Sequence, residues 1–256
     1  MPIGWFEYQS ILLVIVRVTA LIAVAPILGD RQIPGMIKAG LGLFLAFLLV
    51  PVIQPAPSHF TTVPGFIIAV GKEIMVGVTL GFVADMMFYG IQFSGQFVSL
   101  QMGFAAAQLF DPSTENNVPV IGQFYYIVAV LLYLAVGGHQ FLIEALQASF
   151  QSIPLTGLQF EESFFRYIIK LSSDVFVIAL KIAAPIFVTI LLTEVALGMI
   201  ARLVPQMNIF IFGFPLKILV GMIMIAISMP IFGRIFRVVY QSSQFDVHRI
   251  IQLISP

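Results

Sequence analysis

Apolar runs dominate the chain, and its polar residues fall between those runs rather than alternating with them. Six charge-poor stretches stand out, roughly Ile11–Leu28, Gly40–Ile53, Pro64–Phe93, Val120–Gly137, Val175–Ile200 and Met207–Phe232. Most approach or exceed the roughly 20 residues that a helix needs to cross the hydrocarbon layer. Barrel strands would alternate apolar with polar positions and these runs do not, so the pattern predicts an all-α integral membrane protein.

The helices are not plain spans. Pro26, Pro51, Pro185, Pro215 and Pro230 lie within or beside the apolar runs, and each removes a helical hydrogen bond and favours a kink or break. The expected architecture is about six hydrophobic, partly kinked or broken helices arranged as hairpins. Gln54–Pro64 carries Pro55, Pro57 and Pro64 and reads as a stiff link. Gly138–Asp174 holds Glu144, Glu161, Glu162, Arg166 and Lys170 and reads as an amphipathic, water-facing helical region. The resulting division is 1–140 as a front helical part, 141–174 as a connecting region and 175–256 as a C-terminal helical hairpin with its tail. Ala23-Val24-Ala25 resembles a cleavage site, but Arg17 interrupts the preceding run and no Lys or Arg precedes it, so a retained first helix is expected.

Composition sharpens this picture. Of the 256 residues 60% are hydrophobic and only 9% charged, against about 25% charged in soluble domains. Twelve basic and twelve acidic side chains cancel, so the field that draws proteins to nucleic acid is missing. The absence of cysteine excludes disulfides, thiolate nucleophiles and cysteine-held metals. His59, His139 and His248 have no ligand spacing. No Ser–His arrangement, HExxH motif or phosphate-binding loop occurs, so neither an enzyme nor a cofactor is expected. Five basic residues (Arg166, Lys170, Arg234, Arg237, Arg249) against three (Arg31, Lys38, Arg202) favour cytoplasmic termini if all six runs span.

Charges embedded in the apolar runs are the candidate chemistry: Arg17, Lys38, Lys72, Glu73, Asp85, Lys181, Glu194 and Lys217. Each costs about 2.5 to 3.5 kcal/mol at a helix centre in lipid, so each should face protein or water. Pro205-Gln206-Met207-Asn208 reads as a hairpin turn, and Glu194 lies 12 residues before Gln206 while Lys217 lies 11 after it. In an antiparallel hairpin the two reach nearly the same depth, either as a structural ion pair or as part of a proton or ion path. Gly77 and Gly81, in G-x-x-x-G spacing after Gly71, predict close helix packing, a small-residue theme that Gly90 and Gly95 extend beside Asp85. The stretch Gln101–Pro119 turns from apolar (Phe104, Ala105, Ala106, Ala107, Leu109, Phe110) to polar (Asp111 to Asn117, through Pro112). It reads either as an ordinary loop or as an apolar flap able to block a wet passage by excluding water.

Taken in chain order, several motifs resemble the FliR family of the type III secretion export gate. They are Lys72-Glu73 with Gly77 and Gly81, Gln101-Met102-Gly103 leading to Asp111-Pro112, Gly137-Gly138-His139, and Ser149-Phe150 with Pro154. Ala179 to Pro185 around Lys181, Pro205 to Phe210, and Gly213-Phe214-Pro215-Leu216-Lys217 complete the set. The resemblance implies a core component of the flagellar export gate, in the bacterial inner membrane at the basal body. The front part would be FliP-like and the back hairpin FliQ-like, with FliP-like and FliQ-like subunits, other export proteins and unfolded flagellar substrates as partners. It further implies a plug at Gly103–Val118 beside a methionine ring of the FliP-like subunit, with Gly103, Phe104, Ala106, Leu109, Phe110, Asp111 and Pro112 as its residues. The alternatives are a secondary transporter relaying ions through Asp85, Lys181, Glu194 and Lys217, or a purely structural scaffold.

Overall fold

The computed structural model describes residues 5–53, 62–104, 120–204 and 209–256, and every described element is helical. The helices are α1 (Trp5–Val24), α2 (Gly35–Leu49), α3 (Val63–Gln101), α4 (Val120–Ala135), α5 (Gly138–Ser152), α6 (Glu162–Leu203) and α7 (Ile209–Ile254), with a 3-10 turn at Val50–Val52. Among the described residues three helices, Val63–Gln101, Glu162–Leu203 and Phe212–Ile254, are long and apolar enough to cross a membrane. The α4 and α5 pair would make a fourth span; it bends by 68° at a break, where Gly137 adopts φ +77. Together these make an all-α membrane protein.

The helices outrun the apolar runs that announce them. The third continues past Phe93 to Gln101, and the last continues past Phe232 to Ile254. Loss of hydrophobicity does not end a helix when no breaker follows, because polar residues simply occupy its solvated turns. Pro185 lies inside α6, and Pro215 and Pro230 lie inside α7, without dividing either helix. Within apolar surroundings an unmade backbone bond is costly, so the remaining ladder closes around the missing donor. Thr189 Oγ1 donates to the Pro185 carbonyl (2.8 Å) and Thr193 Oγ1 to the Thr189 carbonyl (2.9 Å), which ties down the turns after the proline.

The contacts divide the chain into two compact units, neither continuous in sequence. The first comprises Met1–Met86, Tyr133–Ser172 and Gln241–Pro256, and the second Met87–Leu132 and Ser173–Tyr240. In the first unit, α1 buries Leu13, Val14, Val18, Leu21 and Ile22. Gly77 and Gly81 bring α3 so near α1 that an added Cβ would sit 2.4 Å from the Arg17 carbonyl oxygen and 2.8 Å from that of Leu21. In α5, the positions 138, 141, 142, 145, 146 and 149 are buried, a 3.6-residue stripe that makes it amphipathic. In the second unit, Gly95 of α3 touches Gly122 of α4, and Tyr125 stacks on Phe232 of α7 at 5.1 Å.

Candidate functional site

Two polar constellations emerge, one inside each unit. In the first, Arg17 of α1 and Glu73 of α3 form an ion pair with Nε 2.5 Å from Oε2, at 0% and 1% side-chain exposure. Glu73, Gly77 and Gly81 recur at every fourth residue and so share one face of α3. The helix that seats against the two glycines must therefore answer the carboxylate, and α1 does so with Arg17.

The pair reaches further. Arg17 Nη1 donates to the carbonyls of Ser149 (3.2 Å) and Ile153 (3.1 Å), at the end of α5. The Ser149 carbonyl also accepts the Ile153 backbone N–H at 2.9 Å, whereas Ile153 lies just past the end of α5, where helical partners run out. The guanidinium also lies 4.3 Å from the centroid of the Phe150 ring. Glu73 Oε1 accepts the Thr156 backbone N–H at 2.7 Å, and the neighbouring Lys72 Nζ donates to the Thr156 carbonyl at 3.1 Å. Thr156 has φ +68, a conformation that a β-branched residue rarely adopts and that its surroundings must impose. Glu73 and Lys72 thus hold that residue by its backbone N–H and its carbonyl. Breaking one partner of so buried a pair costs about 3–5 kcal/mol, because the other charge is left without compensation.

In the second unit, Lys217 Nζ of α7 lies 2.5 Å from Glu194 Oε1 of α6, at 18% and 40% side-chain exposure. Lys217 Nζ is also 5.9 Å from the centroid of the Phe214 ring. Phe214 in turn fills the space over Gly103, where an added Cβ would stand 2.5 Å from the ring. Gly103 itself has φ +86, so only glycine meets both demands there. Met102 is fully buried, and its side chain occupies the place a Cβ on Gly221 would need.

Ala106, Leu109, Phe110, Asp111 and Pro112, together with the turn Pro205, Gln206, Met207 and Asn208, lie outside the described residues. Phe104 is half-buried. Lys181 is exposed and Asp85 half-buried, and neither joins the Glu194–Lys217 contact. Among the described residues no group of three or more potential ligands could hold a metal.

Sequence reasoning names Arg17 and Glu73 singly but not as a pair, and it misses Thr156 altogether. One signal was available, the alignment of Glu73 with the glycine face. The structure also gathers motifs that are far apart in the chain. Lys72-Glu73 and Gly77 meet Ser149-Phe150 through Arg17, and Met102-Gly103 meets Phe214 and Gly221.

Known proteins are similar to the chain over most of its length. The model of "Bacterial export proteins, family 1" matches residues 8–243. A flagellar biosynthetic protein FliR of Bacillus subtilis (strain 168) is 34% identical over 253 residues, covering 96% of each chain. The flagellar biosynthetic protein FliR of Escherichia coli (strain K12) is 34% identical over 220 residues, covering 85% of this chain and 83% of its own. That of Aquifex aeolicus (strain VF5) is 26% identical over 222 residues, covering 87% and 86%.

Proposed function

Because the chain belongs to the bacterial export proteins, family 1, we propose that it is a core component of the flagellar type III export gate in the bacterial inner membrane, at the basal body. It forms part of the conduit through which unfolded flagellar proteins leave, and the loop Gly103–Val118 plugs that conduit when closed. One observation carries the reading: likeness to a protein named for flagellar biosynthesis runs over 96% of both chains. The activity is transport rather than catalysis.

Two features of the chain support the details. The loop departs from Met102 and Gly103, which are seated on Phe214 and Gly221 of α7; a plug needs such a rigid root to return to one position. The exposed face of α6 carries Lys181 amid Val177, Val188, Leu192, Val195 and Met199. A cation amid that face makes lipid a costly neighbour, and a protein partner a fitting one. FliP-like and FliQ-like subunits are the partners we assign, with the front part FliP-like and the hairpin from 175 onward FliQ-like.

Deleting Gly103–Val118 tests the gate. Ion leakage through the assembled complex should rise severalfold with assembly intact; unchanged leakage, with the complex still isolated whole, overturns the plug. Solute uptake by the purified chain alone would instead favour a secondary transporter.

A further inference from the structure

The loop that leaves α3 returns to α4, and both of its roots belong to one packed body. At the α3 root Met102 is fully buried, and its Cγ, Sδ and Cε stand 2.7, 2.7 and 2.6 Å from the Cβ that Gly221 of α7 lacks. At the α4 root Gly122 lies against Gly95 of α3, so close that a Cβ added to Gly95 would stand 2.3 Å from the Gly122 Cα. One turn on, Tyr125 is buried and stacks on Phe232 of α7 at 5.1 Å, while Tyr126 meets Phe88 of α3 edge-on at 5.9 Å. Gly221, Ile225, Ser228 and Phe232 recur at every third or fourth residue and all are buried. One stripe of α7 therefore receives both roots.

Gly103 differs from everything before it. Its φ of +86 ends the helical course just after the buried anchor, and element-terminal residues of this kind absorb the dihedral changes of a hinge. Turning the chain at Gly103 leaves every one of these contacts made. Parting α3 or α4 from α7 would instead uncover a buried methionine and a buried tyrosine, and packed bodies of this density move as units rather than stretch. Resting on the plug reading above, we propose that Met102 and Gly221 are positioning residues of the gate. Together with Gly95 and Gly122 they form a base that stays shut during export, while the plug swings about Gly103. This chain's share of the opening is then what the loop vacates, not a gap between its helices.

The experiment uses the full chain assembled with its partner subunits. The chain has no cysteine, and Met102→Cys with Gly221→Cys brings two β-carbons to about the 3.5–4.5 Å that a disulfide spans. After oxidation the joined complex should hold back ions as before, and inverted membrane vesicles carrying it should keep most of their export of flagellar subunits. Export stopped by the oxidised pair and restored on reduction means that the base must part, and overturns the proposal; cysteines that fail to join place the two residues apart and overturn it too. A second measurement reads the seat itself. Gly221→Ala, which drives Met102 out, should raise ion leakage severalfold with assembly intact, and adding Met102→Ala, which gives the new methyl room, should bring leakage most of the way back. Gly77→Val, which strains packing in the other unit, should lower the melting temperature and leave leakage unchanged. Leakage that follows melting temperature in all three overturns the positioning role. Deletion of Gly103–Val118 separates the two readings: raised leakage there beside unchanged leakage in Gly221→Ala overturns the base alone, whereas unchanged leakage in both removes the plug as well.

Discussion

Among the described residues, the two ion pairs that join different helices are chemically alike and physically unlike. Arg17–Glu73 is removed from solvent, and both partners carry further hydrogen bonds to backbone. Lys217–Glu194 keeps 40% of its carboxylate side chain exposed, and fewer groups of the chain depend on it, so the surrounding helices lose less if it is broken. Burial also changes what a pair can specify. A half-exposed pair tolerates small shifts of its helices, whereas Arg17 must satisfy two carbonyls and a carboxylate at once and so fixes α1, α3 and the end of α5 together.

That contrast is open to direct attack. The largest effect should come from Glu73→Ala, which leaves Arg17 charged and buried; we expect a loss of about 3–5 kcal/mol, read as a large fall in melting temperature in detergent. The combined change Arg17→Met with Glu73→Leu should recover most of it, since a well-packed apolar replacement removes the desolvation cost of both charges. If Glu73→Ala is no worse than Glu194→Ala, the distinction between the pairs collapses. An intermediate effect is expected from Gly77→Val, whose new side chain meets the Arg17 backbone rather than a movable tip; overpacking of this kind costs about 1–3 kcal/mol. Its melting curve should shift while Gly71→Val, which has nothing within 4 Å, leaves it nearly unmoved. The smallest effect belongs to Glu194→Gln, about 1 kcal/mol or less given its exposure. Exchanging Glu194→Lys with Lys217→Glu should restore part of what either reversal loses, and a cycle showing no coupling would count against a stabilising role for the pair.

Hydrophobic runs locate helices well because burying or lipid-facing turns must be apolar. They locate helix ends poorly: nothing in the composition after Phe232 says that Arg234 and Arg237 continue the same helix. Prolines mislead for a related reason, since Pro185, Pro215 and Pro230 remove single bonds from helices whose other bonds have no aqueous competitor. Spacing is informative about depth where a turn is evident, as it is around Gln206 for Glu194 and Lys217. No spacing links Arg17 to Glu73, which are 56 residues apart on helices whose docking depends on two glycines. Thr156 is harder still, because a threonine in a loop carries no mark of a left-handed backbone. Of the residues that carry the family resemblance, Lys72-Glu73, Gly77 and Ser149-Phe150 meet at Arg17, and Gly103 meets Phe214 beside Lys217, so motif order is more telling than any one charge.

The grip of Arg17 and Glu73 on residues 149 to 156 also sets an order of events. During synthesis, α1 and α3 emerge while the groups that complete their polar contacts are still unmade. Until Thr156 has left the ribosome, the carboxylate lacks its amide and the guanidinium its two carbonyls. The front of the protein therefore waits, partly satisfied, for a segment far downstream, and a nascent chain cut short before that point has no finished amino-terminal half.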